Sequence, residues 1–93
     1  MMQIVTTKTF DKLFKMLDKK IQRKAAQKTE LFKQNPFNPI LQTEKLNPKA
    51  RGVWSFRVDY DYRVVFKFTE KDVAEFRFIG HHNKIYNYPI FLD

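Results

Sequence analysis

Arg57, Arg63, Lys67 and Arg77 recur along the run from Gly52 to Tyr86, each flanked by apolar residues in alternation. A period of two is the mark of a β-strand, whose successive side chains point to opposite faces. Read as three consecutive strands, the run places the four cations on one face of a sheet. His81 and His82 follow directly, and Tyr86 closes the run. Clustered guanidinium and ammonium groups bind anions, and planar arginine forks match phosphate in particular. An imidazole beside them exchanges a proton near neutral pH. The chemistry open to this set is recognition of a polyanion, with proton transfer to or from it.

Arg57 and Arg63 lie equally far from a turn centred on Tyr60, so they are expected to be near cross-strand neighbours. Like charges side by side are unfavourable unless an anion or an acid sits between them. A bound phosphate is one answer; Asp59, Asp61 or Glu75 is the other. Lys49 and Arg51, just before the run, are further candidates for phosphate contact.

The histidine pair also has more than one reading. Adjacent residues in an extended segment point opposite ways, so one ring packs while the other faces the basic surface. A metal site would need a third ligand, and no nearby Asp or Glu has convincing spacing, so no metal is expected. Trp54 and the phenylalanines, at alternate strand positions, are expected in the core. Tyr60, Tyr62, Tyr86 and Tyr88, at turns or strand ends, are better placed to stack on bases.

The elements that must position these groups are legible upstream. Met2 to Thr6 is short and β-branched and predicts an opening strand. From Thr7 or Lys8 the pattern turns helical: Phe10, Leu13, Phe14, Leu17 and Ile21, continued by Ala25 and Phe32. The stretch is long for one helix in so small a domain, and a break near Asp18 to Lys20 would give a helical hairpin. Asn35-Pro36 ends the second helix, because the residue before proline is pushed out of the α region. Asn35 to Gly52 reads as an extended loop with at most one short helical turn. In the first strand of the run Trp54, Phe56 and Val58 alternate with Ser55, Arg57 and Asp59. In the second, Val64, Phe66 and Phe68 alternate with Arg63, Val65 and Lys67. In the third, Ala74, Phe76 and Phe78 alternate with Glu75, Arg77 and Ile79. Turns at Tyr60-Asp61 and Glu70 to Asp72 make the neighbours antiparallel.

The fold expected is α+β, in the order β-α-α-β-β-β, a helical hairpin on a small, mainly antiparallel four-stranded sheet. Residues 1–93 are read as a single domain. With 43% apolar residues, ten of them Phe, the chain can build one modest core. The absence of cysteine excludes disulfides and thiolate zinc sites. No segment reaches membrane-spanning length and the first ten residues lack a secretory apolar stretch, which suits the cytoplasm. Eighteen basic residues against ten acids leave a net charge of +8, a field that favours phosphate-rich or acidic partners. Half of the basic residues fall in the helical stretch, where a charged face is ordinarily solvated. Glycine-rich phosphate loops, nucleophile elbows and dinucleotide fingerprints are all missing.

The segments WSFRVDYDYRVVF and FIGHHNKIY, in this order, resemble the RelE/ParE superfamily of toxins from type II toxin–antitoxin pairs. The Trp-Ser start and the Gly-x-His-x-x-Ile-Tyr end look more like the RelE, YoeB and YafQ branch than like ParE. The resemblance covers nearly the whole chain. It implies an RNA endonuclease that cuts mRNA in the ribosomal A site without metal or other cofactor, inhibits translation, and pairs with a cognate antitoxin in a hetero-oligomer, away from membranes. Such cleavage needs a base for the 2′-OH, cations for the growing negative charge and an acid for the departing 5′ oxygen. By resemblance, Arg63 contacts the scissile phosphate, His82 is general acid or base, and Tyr86 orients or stacks the substrate. Arg57 matches a basic position used for phosphate or catalysis. Glu44, ten residues before Trp54, matches a glutamate that YoeB-like members keep. Lys67, Arg77, His81, Lys49 and Arg51 are carried as RNA contacts. Ser55 stands where RelE proper has a catalytic lysine, which shifts the base role to Glu44 or His82. A gyrase inhibitor of ParE type and a catalytically silent nucleic-acid-binding module are the alternatives.

Overall fold

The computed structural model describes residues 1–46 and 52–85. Strand β1 (Gln3–Thr6) leads into helices α1 (Lys8–Lys15) and α2 (Lys19–Gln34). A single 3-10 turn (Pro39–Leu41) precedes β2 (Glu44–Lys45). Then come β3 (Val53–Arg57), β4 (Tyr62–Glu70), β5 (Val73–His81) and a last helical turn, α3 (His82–Ile85).

The breaks are set by side chains that cap the backbone. Thr7 starts α1, its hydroxyl accepting from the Phe10 amide at 3.0 Å. Asp18 starts α2 in the same way, accepting from Lys20 at 2.9 Å. Between them Gln22 reaches back, its amide donating to the carbonyls of Phe14 (2.9 Å) and Leu17 (3.2 Å). The Phe14 carbonyl also accepts from the Leu17 amide at 3.1 Å, so Gln22 clamps the link between the two helices to α2. The break expected near Asp18 to Lys20 is present at Met16 to Asp18, and Asn35, in extended conformation, ends α2 before Pro36 as expected.

Among the described residues the strands form one five-stranded sheet in the order β1-β5-β4-β3-β2. β1 runs parallel to β5 and the other pairs are antiparallel. The fifth strand is the difference from the four expected. β2 is two residues long, inside the stretch read as loop, and short pairings of this kind leave no periodic signal.

One face of the sheet packs on the helices. Phe32 of α2 sits at the centre, its ring 5.1, 4.9 and 5.3 Å from those of Phe56, Phe66 and Phe76. Trp54 faces the same side against Phe37 and Phe68, so it belongs with the core as expected.

The opposite face departs from the uniform basic surface read from alternation. Val65 pairs with Phe78 and Phe66 with Phe76, so Arg77 is an extra residue in a β-bulge. A bulge reverses the facing of everything beyond it. Phe78 turns to the second face and Ile79 to the core, the reverse of their expected sides. Phe78 there packs with Val53, Val65, Leu46 and Ile85 as a small apolar cluster, which α3 covers through Ile85. The bulge is anchored by Thr7, whose hydroxyl donates to the Arg77 carbonyl at 3.2 Å.

Candidate nucleic-acid interface and active site

Three cross-strand rows cross the second face. Val53, Lys67 and Glu75 make the first; Ser55, Val65 and Phe78 the second; Arg57, Arg63 and Gly80 the third. The apolar middle row splits the cations. Arg57 and Arg63 stand at one end as direct partners, as their distance from the turn predicted. Lys67 stands at the other end. Arg77 is spent on an ion pair with Glu75, Nε to Oε1 2.7 Å. The reading of one contiguous four-cation patch is thus corrected: the bulge and the Val65–Phe78 pair divide it.

Arg63 is 9% exposed. Its Nη1 donates to the carbonyls of Asp59 (2.9 Å), Tyr60 (2.9 Å) and Tyr62 (3.1 Å). The turn's carbonyls, rather than an acid, offset the repulsion from Arg57. Nη1 carries two of the five guanidinium N–H donors, so the fork has capacity for a phosphate besides.

The turn itself is rigidly braced. Oδ1 of Asp59 accepts from the amides of Asp61 and Tyr62, both at 2.9 Å. Its Oδ2 pairs with Lys24 of α2 at 3.3 Å. Burial pushes the Asp59 carboxyl up, but the Tyr62 and Asp61 amides and the Lys24 ammonium together hold it below its ordinary value. Asp59 therefore serves the turn and the helix, and leaves Arg57 free of that acid.

β5 and α3 bring the histidines to the same end. The His82 amide donates to the Asp61 carbonyl at 2.7 Å, fixing the start of α3 to the β3–β4 turn. The two imidazoles do not diverge as an extended pair would. They stack, centroids 4.7 Å apart and 23° from parallel, because the strand ends at His81 and helix begins at His82. The Tyr62 ring meets His81 edge-on at 5.6 Å. His81 accepts from the Asn83 amide at Nδ1 (3.1 Å) and turns Nε2 toward Asp61, 3.8 Å from Oδ1. Asp61 is thus the acid that sequence spacing did not supply to the histidine pair. It is distant along the chain and adjacent only because β4 and β5 pair to their ends.

Glu44 is exposed on β2, opposite Ser55. Ser55 is two residues from Arg57, which makes Glu44 and Arg57 diagonal neighbours, about 7–8 Å apart at their backbones. Ser55 itself is buried. The register sets Glu44, Arg57 and Arg63 on neighbouring rows of the second face, with Lys67 and Arg77 apart from them. His81, opposite Tyr62, lies on the helix side at the Arg63 end of the sheet, and His82 follows it at the start of α3. Lys49, Arg51, Tyr86 and Tyr88 lie outside the described residues. Gly80 was read only as part of the Gly-x-His-x-x-Ile-Tyr pattern; its close approach to Ile85 was not, since a glycine in a strand pattern signals close approach without naming its neighbour.

This fold is that of the RelE-like toxins. A model of the YoeB-like toxins of bacterial type II toxin–antitoxin systems matches residues 6–82, and the chain belongs to that family. A YoeB/ParE toxin from Agrobacterium tumefaciens has a similar structure, with a TM-score of 0.75 at 21% identity over 87% of this chain and 99% of that one. YafQ from E. coli gives a TM-score of 0.75 at 20% identity, over 92% of this chain and 99% of that one. A chain of the RelB–RelE antitoxin–toxin complex from Methanococcus jannaschii gives 0.71 at 24% identity, over 90% and 96%. No curated protein matches the chain by sequence. Among the described residues no helix is long and apolar enough to cross a membrane.

Proposed function

We propose that this toxin is an mRNA endonuclease that acts on the ribosome in the cytoplasm, cutting RNA by metal-free attack of the 2′-OH on the adjacent phosphate. The observation that supports the reading is the direct pairing of Arg57 with Arg63 on the second face, with Glu44 on the neighbouring row and His82 tied to the same β3–β4 turn through the Asp61 carbonyl. Each group answers a need of the reaction. Arg63, fixed by the turn carbonyls, and Arg57 beside it supply positive charge where the phosphorane gains negative charge. A buried, preorganised guanidinium does so without rearranging during the reaction. His82, at the mouth of the site, protonates the departing 5′ oxygen. Glu44 is the exposed carboxylate within reach of the same region and takes the 2′-OH proton. Tyr86, Lys49 and Arg51 complete the proposal as substrate contacts.

Ser55 supports this division of labour. Ser55 is buried and carries no basic group, so in this reading the base is Glu44 or the histidine.

The partner proposed is a cognate antitoxin, in a hetero-oligomer like the RelB–RelE complex. A chain of net charge +8 suits an acidic antitoxin segment drawn over the same basic end.

The test is to add the purified protein to a cell-free translation reaction and map mRNA ends. New cuts within translated codons, ending in 2′,3′-cyclic phosphate, are expected. Intact mRNA would contradict the reading, and a DNA supercoiling assay would then decide for or against gyrase as the target.

A further inference from the structure

We propose that Asp61, His81 and His82 form a binding site for a borderline divalent transition-metal ion, zinc in the first instance, and that its occupancy silences the toxin. The silencing half rests on the proposed role of His82; the binding half does not.

One oxygen of Asp61 and one nitrogen of each histidine all lie within 4.8 Å of one another. A tetrahedral zinc site with bonds of about 2.0–2.1 Å sets neighbouring ligand atoms about 3.3–3.4 Å apart. The His81 Nε2 to Asp61 Oδ1 distance of 3.8 Å is already close to that value. The remaining contraction needs only rotation of two partly exposed imidazoles and one exposed carboxylate. The backbone beneath them is fixed by the His82–Asp61 hydrogen bond of 2.7 Å. Imidazole and carboxylate are ligands that zinc accepts, and three protein ligands leave a fourth position for water.

The chain has no cysteine and two histidines in all, so every imidazole it owns is at this corner. There is one opposing contact. With Nδ1 of His81 accepting the Asn83 amide, the neutral ring carries its proton on Nε2. Metal at Nε2 moves that proton to Nδ1 and gives up one exposed hydrogen bond. A metal on His82 occupies the lone pair that proton transfer requires, which is why binding and cleavage would exclude each other.

The experiment is calorimetric titration of the tag-free chain with zinc chloride, repeated on Asp61→Asn and His81→Gln, with circular dichroism to establish that each variant is folded. Saturable one-to-one binding is expected, weakened at least about tenfold in each variant, as loss of a ligand should do when even outer-shell changes cost 10–100-fold. No saturable binding, or binding indifferent to both substitutions, would overturn the site. In the translation assay zinc should suppress cleavage by the natural chain and spare cleavage by Asp61→Asn. Cleavage by the zinc-loaded natural chain would overturn the silencing. If the chain cuts no mRNA even without zinc, the proposed function and the silencing fail together, and the titration still decides the site.

Discussion

A Cβ built on Gly80 would stand 3.2 Å from Cγ2 of Ile85. Gly80 lies opposite Arg63 on the second face, and Ile85 is the residue by which α3 grips that face. The missing side chain is what lets the last helical turn settle over the apolar cluster, and so fixes where His82 stands relative to the two arginines. Gly80→Ala should destabilise by about 1–3 kcal/mol, the usual cost of overpacking, and should reduce cleavage by more than that loss explains. Adding Ile85→Leu, which removes the opposing methyl branch, should restore part of both. Urea unfolding and cleavage rates on the single and double variants check this.

Arg63 holds the β3–β4 turn besides the chemical role proposed for it. Removing it leaves turn carbonyls without their donor beside a strand end, so Arg63→Ala should lower stability by about 1.5–3 kcal/mol, the range for hydrogen bonds to charged groups. The simpler expectation, a catalytic arginine removable without harm to the fold, does not suit a side chain this buried. Urea midpoints of Arg63→Ala and Arg57→Ala should differ, with Arg57→Ala nearer the natural chain.

Much of this was legible in the sequence, and the failures have specific causes. The break between α1 and α2, the Arg57–Arg63 pairing and the core side of Trp54 follow from the length of the helical stretch, turn symmetry and period two. The bulge at Arg77 was not legible, because one inserted residue leaves the composition of the strand unchanged while reversing Phe78 and Ile79. β2 was too short to carry a pattern. Asp61 joined the histidines through pairing of β4 with β5, a contact that spacing along the chain does not encode. The basic character of the face was read correctly residue by residue, and its continuity was not.

Acid stability should carry the mark of Asp59. Its carboxyl is held below its ordinary value in the folded protein, so it contributes stability above the unfolded value and loses it as pH falls through the depressed folded one. Asp59→Asn should flatten the stability profile across that acidic window and lower stability at neutral pH. Denaturant unfolding at several pH values measures both.

Phe32 should dominate the core. Fully buried among Phe56, Phe66 and Phe76, its replacement by alanine should cost about 3–5 kcal/mol, enough to leave so small a domain largely unfolded. Circular dichroism melts would register it directly.

The central claim is that chemistry belongs to the Arg57–Arg63–His82 end of the sheet and not to the Lys67 end. The deciding measurement is the rate of mRNA cleavage on translating ribosomes by the natural chain, His82→Ala and Lys67→Ala, each shown to be folded. The account predicts a loss of about a hundredfold or more for His82→Ala, the scale of a lost general acid, and a far smaller loss for Lys67→Ala. Equal losses, or cleavage that survives without the histidine, would contradict it.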